Sequence, residues 1–304
     1  MSLAPIALIL YNRLAHTRRV VESLAGNQLA RDSDLVVFSD GPRTPADVDA
    51  VAHVREYARC IRGFRSVRLI ERERNLGLAE SIITAVTELV EHTGRIIVLE
   101  DDLVSSPYFL MYLNAGLDLY ADEPSVASIH AYVYPVRTAL PDTFFLKGAD
   151  CWGWATWKDR WAIFERNGSR LLAELRRRQL TYEFDFDGSY PYTRMLEDQI
   201  AGRNDSWAIR WYASAFLADM VTLYPGRSLV HNIGNDGGGT HGEKSRRFDV
   251  QVRDTPVELR KRPPTEDATA KQAIASYFRG EATAAPAARA PRRWHQRIGR
   301  LFHA

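Results

Sequence analysis

Cysteine and net charge are both scarce in this sequence. Cys60 and Cys151 are the only cysteines among 304 residues, and neither belongs to a Cys-x-x-Cys pair or has the spacing of zinc ligands. We therefore expect neither a disulfide framework nor a zinc finger, and a reducing compartment is the simpler environment. The formal net charge is only +2, which is too small a basic excess to indicate a nucleic-acid-binding protein.

Long apolar runs are missing as well. No segment of the sequence approaches the length of a membrane span. The first residues lack the charged and apolar regions of a signal peptide, so we expect a cytoplasmic protein. Apolar residues nonetheless make up 45% of the chain, which is enough for a buried core in one large domain or two small ones.

The first third of the chain alternates between strand-like and helix-like segments. Short apolar runs occupy Ile6–Leu10 and residues 35–38, 67–70 and 95–99, and helical patterns lie between them at 16–24, 44–61 and 77–90. Strands separated by helices predict an α/β fold with a doubly wound, mostly parallel sheet. Right-handed crossovers would place the loops after all four strands along one edge of that sheet.

Polar side chains gather along this predicted edge. The most informative are Glu100, Asp101 and Asp102, which directly follow the apolar run at 95–99. Packed carboxylates in such a place repel each other and lose solvation unless a cation compensates them. The pattern therefore predicts a divalent metal that also binds phosphate, with a solvated acidic turn as the alternative.

The second half of the chain contains two further candidates for a site. Asp205 precedes a helical pattern rich in aromatic residues, where a carboxylate can act as a general base or as a helix cap. His241 ends the glycine-rich run 234–241, where it is a candidate metal ligand or an exposed loop histidine. The Trp-rich segment 152–157 is typical of core packing, and a platform for a sugar ring is the alternative.

In their order along the chain, these motifs resemble those of GT-A fold glycosyltransferases. Residues 98–103 read Val-Leu-Glu-Asp-Asp-Leu and are similar to the Glu-Asp-Asp form of that fold's Asp-x-Asp motif, and Ser-Pro-Tyr-Phe follows at 106–109. The Trp-Gly-Trp segment at 152–154 and the runs 205–211 and 232–237 also resemble segments of these glycosyltransferases. The resemblance is to bacterial relatives of N-acetylglucosaminyltransferase I and to inverting glycosyltransferase family two.

The resemblance implies a fold and an activity for most of the chain. It implies a GT-A type, Rossmann-like sheet flanked by helices, with a nucleotide-sugar-binding half at 1–131 and a smaller acceptor and catalytic half at 132–245. A C-terminal extension would follow at 246–280, and a basic linker and amphipathic tail at 281–304. The implied activity is the metal-dependent, inverting transfer of a hexosyl or N-acetylhexosaminyl group. The donor would be a nucleotide-diphosphate sugar such as a UDP-sugar, and the acceptor a hydroxyl of a glycan or glycolipid.

The resemblance also implies roles for individual acids. Asp102 would bind Mn²⁺ or Mg²⁺, and His241 would be a late contact to the metal or to phosphate. Glu100 and Asp101 would contact the ribose or the donor sugar. Asp205 would be the general base.

A nucleotide pocket is implied in the same way. Asp40 would bind the nucleobase, and Tyr11 and Arg13 would line its pocket. Arg74 and Asn75 would lie near the ribose and the phosphates.

Several alternatives stay open at this point. Glu197 or Asp198, just upstream of Asp205, could be the base in its place. A sugar nucleotidyltransferase, or a non-catalytic sugar-binding or assembly protein, could use the same fold.

The C-terminal tail is basic and amphipathic. Its arginines have no acidic residue after Glu281 to balance them, and a helix there would carry on one face Trp294, Ile298, Leu301 and Phe302. This pattern predicts a helix on an anionic membrane surface, which would place the protein at the inner face of the cytoplasmic membrane with a lipid-linked saccharide as acceptor. A frayed basic terminus, or a helix docked on a partner, is the alternative.

Overall fold

The computed structural model describes residues 3–235 and 245–281 and places them around one eight-stranded sheet. The strands are β1 Ile6–Leu10, β2 Asp34–Ser39, β3 Ser66–Glu71, β4 Arg95–Glu100, β5 Leu103–Ser105, β6 Val126–His130, β7 Thr143–Lys147, β8 Trp154–Trp157, β9 Val221–Pro225 and β10 Val230–Asn232. The helices are α1 Leu14–Ala25, α2 Val48–Arg59, α3 Leu78–Thr93, α4 Phe109–Leu119, α5 Lys158–Trp161, α6 Gly168–Arg177, α7 Thr181–Phe184, α8 Tyr192–Ile200, α9 Trp207–Leu217 and α10 Ala268–Phe278. The expectations for His241 and for most of the tail, residues 282–304, fall outside the described residues.

The strand order of the large sheet is β3-β2-β1-β4-β8-β6-β9-β7. β1 pairs in parallel with β2 and with β4, β2 pairs in parallel with β3, and β6 pairs in parallel with β9. β8 and β7 run antiparallel to their neighbours, and β5 and β10 form a separate antiparallel pair. The predicted α/β class with a mostly parallel sheet flanked by helices is therefore confirmed.

Alternating side chains of the central strands fill two cores, one on each face of the sheet. Along β1, Leu8 joins a cluster with residues of α1, α2 and α4, whereas its neighbour Ile9 joins a cluster with residues of α3. Both faces are covered, so every residue of β1 is buried and the strand reads as a continuous apolar run. This is why the apolar runs of the first third predict their strands well.

The Trp-rich segment divides between core and surface. Trp154 is completely buried in β8, and its ring lies 5.5 Å from that of Trp207 and 5.8 Å from those of Trp161 and Trp211. These four rings are packed inside the fold, in agreement with the core interpretation. Trp152 is only partly buried at the edge of a core cluster.

The segment after residue 245 also contributes to the packing. α10 places Ile274 and Phe278 in one cluster with Phe144 of β7 and Tyr224 of β9. No pattern in the sequence predicts this helix, because its apolar face is short and lies between polar segments. The proposed domain boundaries themselves stay predictions.

None of the described helices is long and apolar enough to cross a membrane.

Candidate functional site

The three consecutive acids lie where β4 ends in the middle of the sheet. Glu100 is the last residue of β4, Asp101 and Asp102 form the turn, and the chain then returns as β5. The turn is tied to β10, because the N–H of Ile233 donates to the carbonyl oxygen of Asp102 at 2.8 Å. A Cβ at Gly234 would collide with the Asp102 carboxylate, so glycine is required for this close approach.

Arg13 supplies positive charge to this acidic turn. Its Nη2 lies 2.5 Å from Oδ1 of Asp101 and 3.0 Å from Oδ2 of Asp102. The structure therefore places Arg13, predicted to line the nucleobase pocket, against the acids at the end of β4. One guanidinium among three carboxyl groups leaves an excess of negative charge.

The environment of the acids shows that this excess is poorly compensated. Burial, and then the charges of Asp102 and Asp101, raise the pKa of Glu100 to about 8. Burial also raises the pKa of Asp101, although Arg13 opposes the shift. Oδ2 of Asp101 is buried and accepts no hydrogen bond from the described residues, which is unfavourable for a polar atom.

These residues fit a divalent cation that is shared with a ligand. In residues 3–235 and 245–281, no three His, Cys, Asp or Glu side chains are grouped into a complete metal site. Mg²⁺ and similar cations are commonly bound by one or two carboxylates together with substrate phosphates, so a complete cage is not needed. The unpartnered oxygen of Asp101 and the carboxylate of Asp102 provide such an incomplete set of ligands.

Asp40 has a contrasting environment at the end of β2. The side chain is buried, with 6% of its surface exposed. Its oxygens accept from the backbone N–H groups of Gly41, Leu76 and Gly77 at 2.9–3.1 Å, and from Nδ2 of Asn75 at 3.1 Å. Asp40 thereby fastens the loop between β3 and α3 to the end of β2.

The predicted nucleotide-pocket residues do gather around this loop. A Cβ at Gly41 would lie 2.5 Å from the carbonyl carbon of Arg74, so Arg74 passes directly over the Asp40 turn. The Tyr11 hydroxyl accepts from the N–H of Arg43 at 3.2 Å, on the loop that follows Asp40. The structure therefore brings Tyr11, Asp40, Arg74 and Asn75 together, and their roles with a nucleotide stay predictions.

Asp205 lies on a third loop at the same edge. Ser206 caps α9, because its side chain accepts from the N–H of Ile209 at 3.2 Å, so Asp205 is not the helix cap. Its carboxylate is exposed and is held by no hydrogen bond or ion pair among the described residues. A Cβ at Gly77 would lie 3.4 Å from Oδ2 of Asp205, which places this acid beside the loop that Asp40 fastens.

The two alternative bases have a different setting. Glu197 pairs with Arg176 at 2.7 Å, and Asp198 pairs with Arg194 at 3.1 Å and with Arg203. These ion pairs account for both acids without a catalytic role. Asp205 differs from both in having no such partner among the described residues, and the choice of base stays a prediction.

A cavity outside the predicted set lies between the entry to β8, α8 and α9. We call it the tyrosine pocket; its volume is about 150 Å³, and its defining residues are Tyr134, Asp150, Tyr190, Tyr192, Tyr212 and Tyr224. Sequence reasoning missed it because these residues are scattered over ninety positions of the chain. The closely spaced Tyr190 and Tyr192 were the only local signal.

Comparisons with known proteins give only a partial likeness. No family model and no curated protein matches the sequence. The mannosyltransferase PcManGT from Pyrobaculum calidifontis, solved with GDP-Man and Mn²⁺, is similar over 43% of this chain and 35% of its own, with 18% identity and a TM-score of 0.31. S. aureus TarS is similar over 49% of this chain and 25% of its own, with 13% identity and a TM-score of 0.33. This chain thus spans about a third of the length of the first protein and a quarter of the length of the second.

Proposed function

We propose that the protein is a metal-dependent, inverting glycosyltransferase that uses a nucleotide-diphosphate sugar, of the UDP-sugar type, and a hydroxyl of a glycan or glycolipid. The observation that carries this proposal is the under-compensated group of Glu100, Asp101 and Asp102 at the carboxyl end of a central strand. Open α/β sheets bind ligands at this edge. An acidic site that needs a cation suits a ligand that arrives with a metal and a diphosphate.

The acids have separable tasks in this proposal. Asp102 would hold Mn²⁺ or Mg²⁺, which when bound supplies a Lewis acid for the diphosphate leaving group. Glu100 and Asp101 would contact the ribose or the donor sugar, and we add the unpartnered oxygen of Asp101 as a further ligand for the metal. Arg13 fixes the direction of both carboxylates through its two ion pairs. The hydrogen bonds that the Asp40 carboxylate accepts from Asn75 and Leu76 hold the loop of Arg74 and Asn75 in place for the nucleotide. His241 as a late contact to metal or phosphate remains part of the proposal.

Asp205 would act on the acceptor. Its exposed carboxylate takes the proton of the attacking hydroxyl while the acceptor oxygen forms its bond to the anomeric carbon. The bond from that carbon to the diphosphate oxygen breaks with both electrons on the oxygen. A single displacement of this kind inverts the anomeric centre, and Asp205 keeps the proton until product leaves.

The test is a thermal-shift panel of UDP-, GDP- and dTDP-sugars with and without Mn²⁺, followed by product analysis. We expect one donor class to raise the melting temperature only with Mn²⁺, since a ligand that binds the folded state stabilises it by mass action. Asp102→Ala should lose this response, and turnover should fall about 10²–10³-fold. A matched control is Asp118→Asn, which alters an exposed acid paired with Arg95 at the amino end of β4.

Two outcomes would contradict the proposal. Transfer at the wild-type rate by Asp102→Ala would remove the metal role of the acids. Release of pyrophosphate instead of nucleoside diphosphate would indicate a nucleotidyltransferase.

We also propose that the basic tail holds the enzyme at an anionic membrane, close to a lipid-linked acceptor. The charge and the one-sided apolar pattern after Glu281 support this. Truncation after Gly280 should abolish sedimentation with phosphatidylglycerol vesicles. Equal sedimentation of the truncated and full-length chains would exclude the membrane role of the tail.

A further inference from the structure

The tyrosine pocket combines aromatic rings with a carboxylate. Tyr190 and Tyr192 lie with ring centroids 4.6 Å apart, and Tyr192 and Tyr212 with centroids 4.7 Å apart. Asp150 accepts from the Tyr134 hydroxyl at 3.3 Å and from the N–H of Cys151 at 2.8 Å. Each carboxylate oxygen has a further lone pair available, because an ionised carboxylate offers about four acceptor sites.

The tyrosines of the pocket stay protonated at physiological pH. Burial is the largest cause that raises the pKa of Tyr134, Tyr192, Tyr212 and Tyr224. The pocket therefore presents neutral phenol rings and the Asp150 carboxylate, and it is also lined by Lys147, whose ammonium group pairs with Asp219. Ligand sites generally have this composition, with apolar and aromatic walls and a few placed polar groups.

The pocket opens beside the acidic turn. β8 runs antiparallel to β4, with Trp154 opposite Val98. Cys151, which lines the pocket, belongs to the short segment that leads into β8. Burial raises the pKa of the Cys151 thiol, and the charges of Asp150 and Glu100 raise it further. The thiol therefore lies near both the carboxylate of the pocket and the acidic turn.

The opposite wall of the pocket leads to the proposed base. Ala208 and Ile209, in the first turn of α9, line the cavity. Asp205 lies just before that turn. The pocket therefore borders the start of the helix that directly follows the proposed base.

The loop that carries Asp150 is held in a defined position. The N–H of Trp152 donates to Nε2 of the buried His130 at 3.0 Å. On the N-terminal side, Gly148 adopts φ +87°, and a Cβ there would collide with the ring of Tyr212. The carboxylate is thus preorganised toward the cavity, which lowers the entropy lost on binding.

We propose that the tyrosine pocket binds one sugar ring of the acceptor, with Asp150 accepting hydrogen bonds from its hydroxyls and the tyrosine rings packing on its apolar face. The cavity of about 150 Å³ is smaller than the roughly 300–1,000 Å³ of sites for drug-sized ligands, so it suits a single ring and not a longer glycan. This inference rests on the proposed function, because only a transferase needs an acceptor sugar beside its donor.

The experiment measures binding of simple sugars to the full-length chain without any donor. Methyl glycosides of glucose, galactose, mannose, N-acetylglucosamine and N-acetylgalactosamine are the probes, and saturation-transfer NMR with titration is the readout. We expect at least one glycoside to bind. Asp150→Asn should weaken that binding about tenfold or more, because it removes charge from a hydrogen-bonded acceptor.

Two further variants separate binding in the pocket from other effects. Ala208→Leu adds volume to the cavity wall on a helix that tolerates leucine, and it should abolish glycoside binding. Asp118→Asn should bind the glycoside as the wild type does. Both pocket variants should keep the stabilisation by nucleotide and Mn²⁺, and an unaltered melting temperature shows that Asp150→Asn is folded.

Each outcome decides the proposal. If no glycoside binds the wild type, or if Asp150→Asn binds as tightly as the wild type, the pocket is not the acceptor site. Glycoside binding without any response to nucleotide sugars would instead contradict the proposed transferase and leave a sugar-binding pocket. A response to nucleotide sugars without glycoside binding would contradict only the present inference.

Discussion

Two acidic loops lie on either side of β1 at the same edge of the sheet, and their carboxylates differ in how far the protein supplies them with hydrogen-bond partners. Asp40, after β2, is satisfied by three backbone N–H groups and one amide of its own chain. Asp101, after β4, is buried with one oxygen that has no partner among the described residues. The first carboxylate is satisfied by the fold itself, whereas the second would need the cation of the proposed function as a partner. An acid at a strand end is therefore informative about function only once its partners are known.

Asp205 differs from both of these acids, because its carboxylate is exposed and forms no hydrogen bond or ion pair with the described residues. We expect Asp205→Asn to lower kcat about 10²–10⁴-fold, which is the usual contribution of a positioned general base. The melting temperature and the response to nucleotide sugar with Mn²⁺ should not change. Rate measurements at saturating donor test this, and turnover near the wild-type value would assign the base to another residue.

Substitution of Arg13 tests whether the acidic turn needs a positive charge for stability. Arg13→Gln removes the guanidinium that pairs with Asp101 and Asp102, so we expect a loss of about 3 kcal/mol in the free energy of unfolding. Mn²⁺ should restore much of this stability, because it can take the place of the missing charge. Denaturant unfolding with and without Mn²⁺ measures both effects, and a loss that Mn²⁺ leaves unaltered would count against a cation site.

Asp40 gives the matching control for a carboxylate that its own chain satisfies. Asp40→Asn keeps one acceptor oxygen but turns an NH₂ group toward backbone N–H donors, which should cost about 2 kcal/mol of stability. Mn²⁺ should not restore this loss. If Mn²⁺ rescued Asp40→Asn as well as Arg13→Gln, the difference between the two loops would disappear.

The first third of the fold was predictable because its signals are local. The strands β1, β2 and β4 are short apolar runs that are almost completely buried. The strand β3 lies at the edge of the sheet and is partly exposed, and the intervening helices bury residues at helical spacing. The second half was harder to predict because β7 and β8 run antiparallel and are joined by irregular segments. Their neighbours in the sheet lie far away in sequence, so no local pattern specifies the pairing.

The position of the candidate acids in the fold was predictable to a similar degree. Acids directly after a buried strand, together with right-handed crossovers, place Asp40 and Glu100 at one edge from sequence alone. The partner of Arg13 could not be derived in this way, because Asp101 lies 88 positions further along the chain. The tyrosine pocket was even harder to predict from sequence, since its walls include the entry to β8, α8 and α9, which lie far apart along the chain.

The sequence by itself therefore determined the class of the fold and the edge of the sheet at which the candidate acids gather. Periodicity and burial are properties of a few consecutive residues, and they specify a strand, a helix or an acidic turn without reference to the rest of the chain. The tertiary structure alone decided which carboxylates are satisfied, where Arg13 points and what surrounds Asp150. Those outcomes depend on hydrogen bonds and charges between distant segments, whose approach is set by the strand order of the completed sheet.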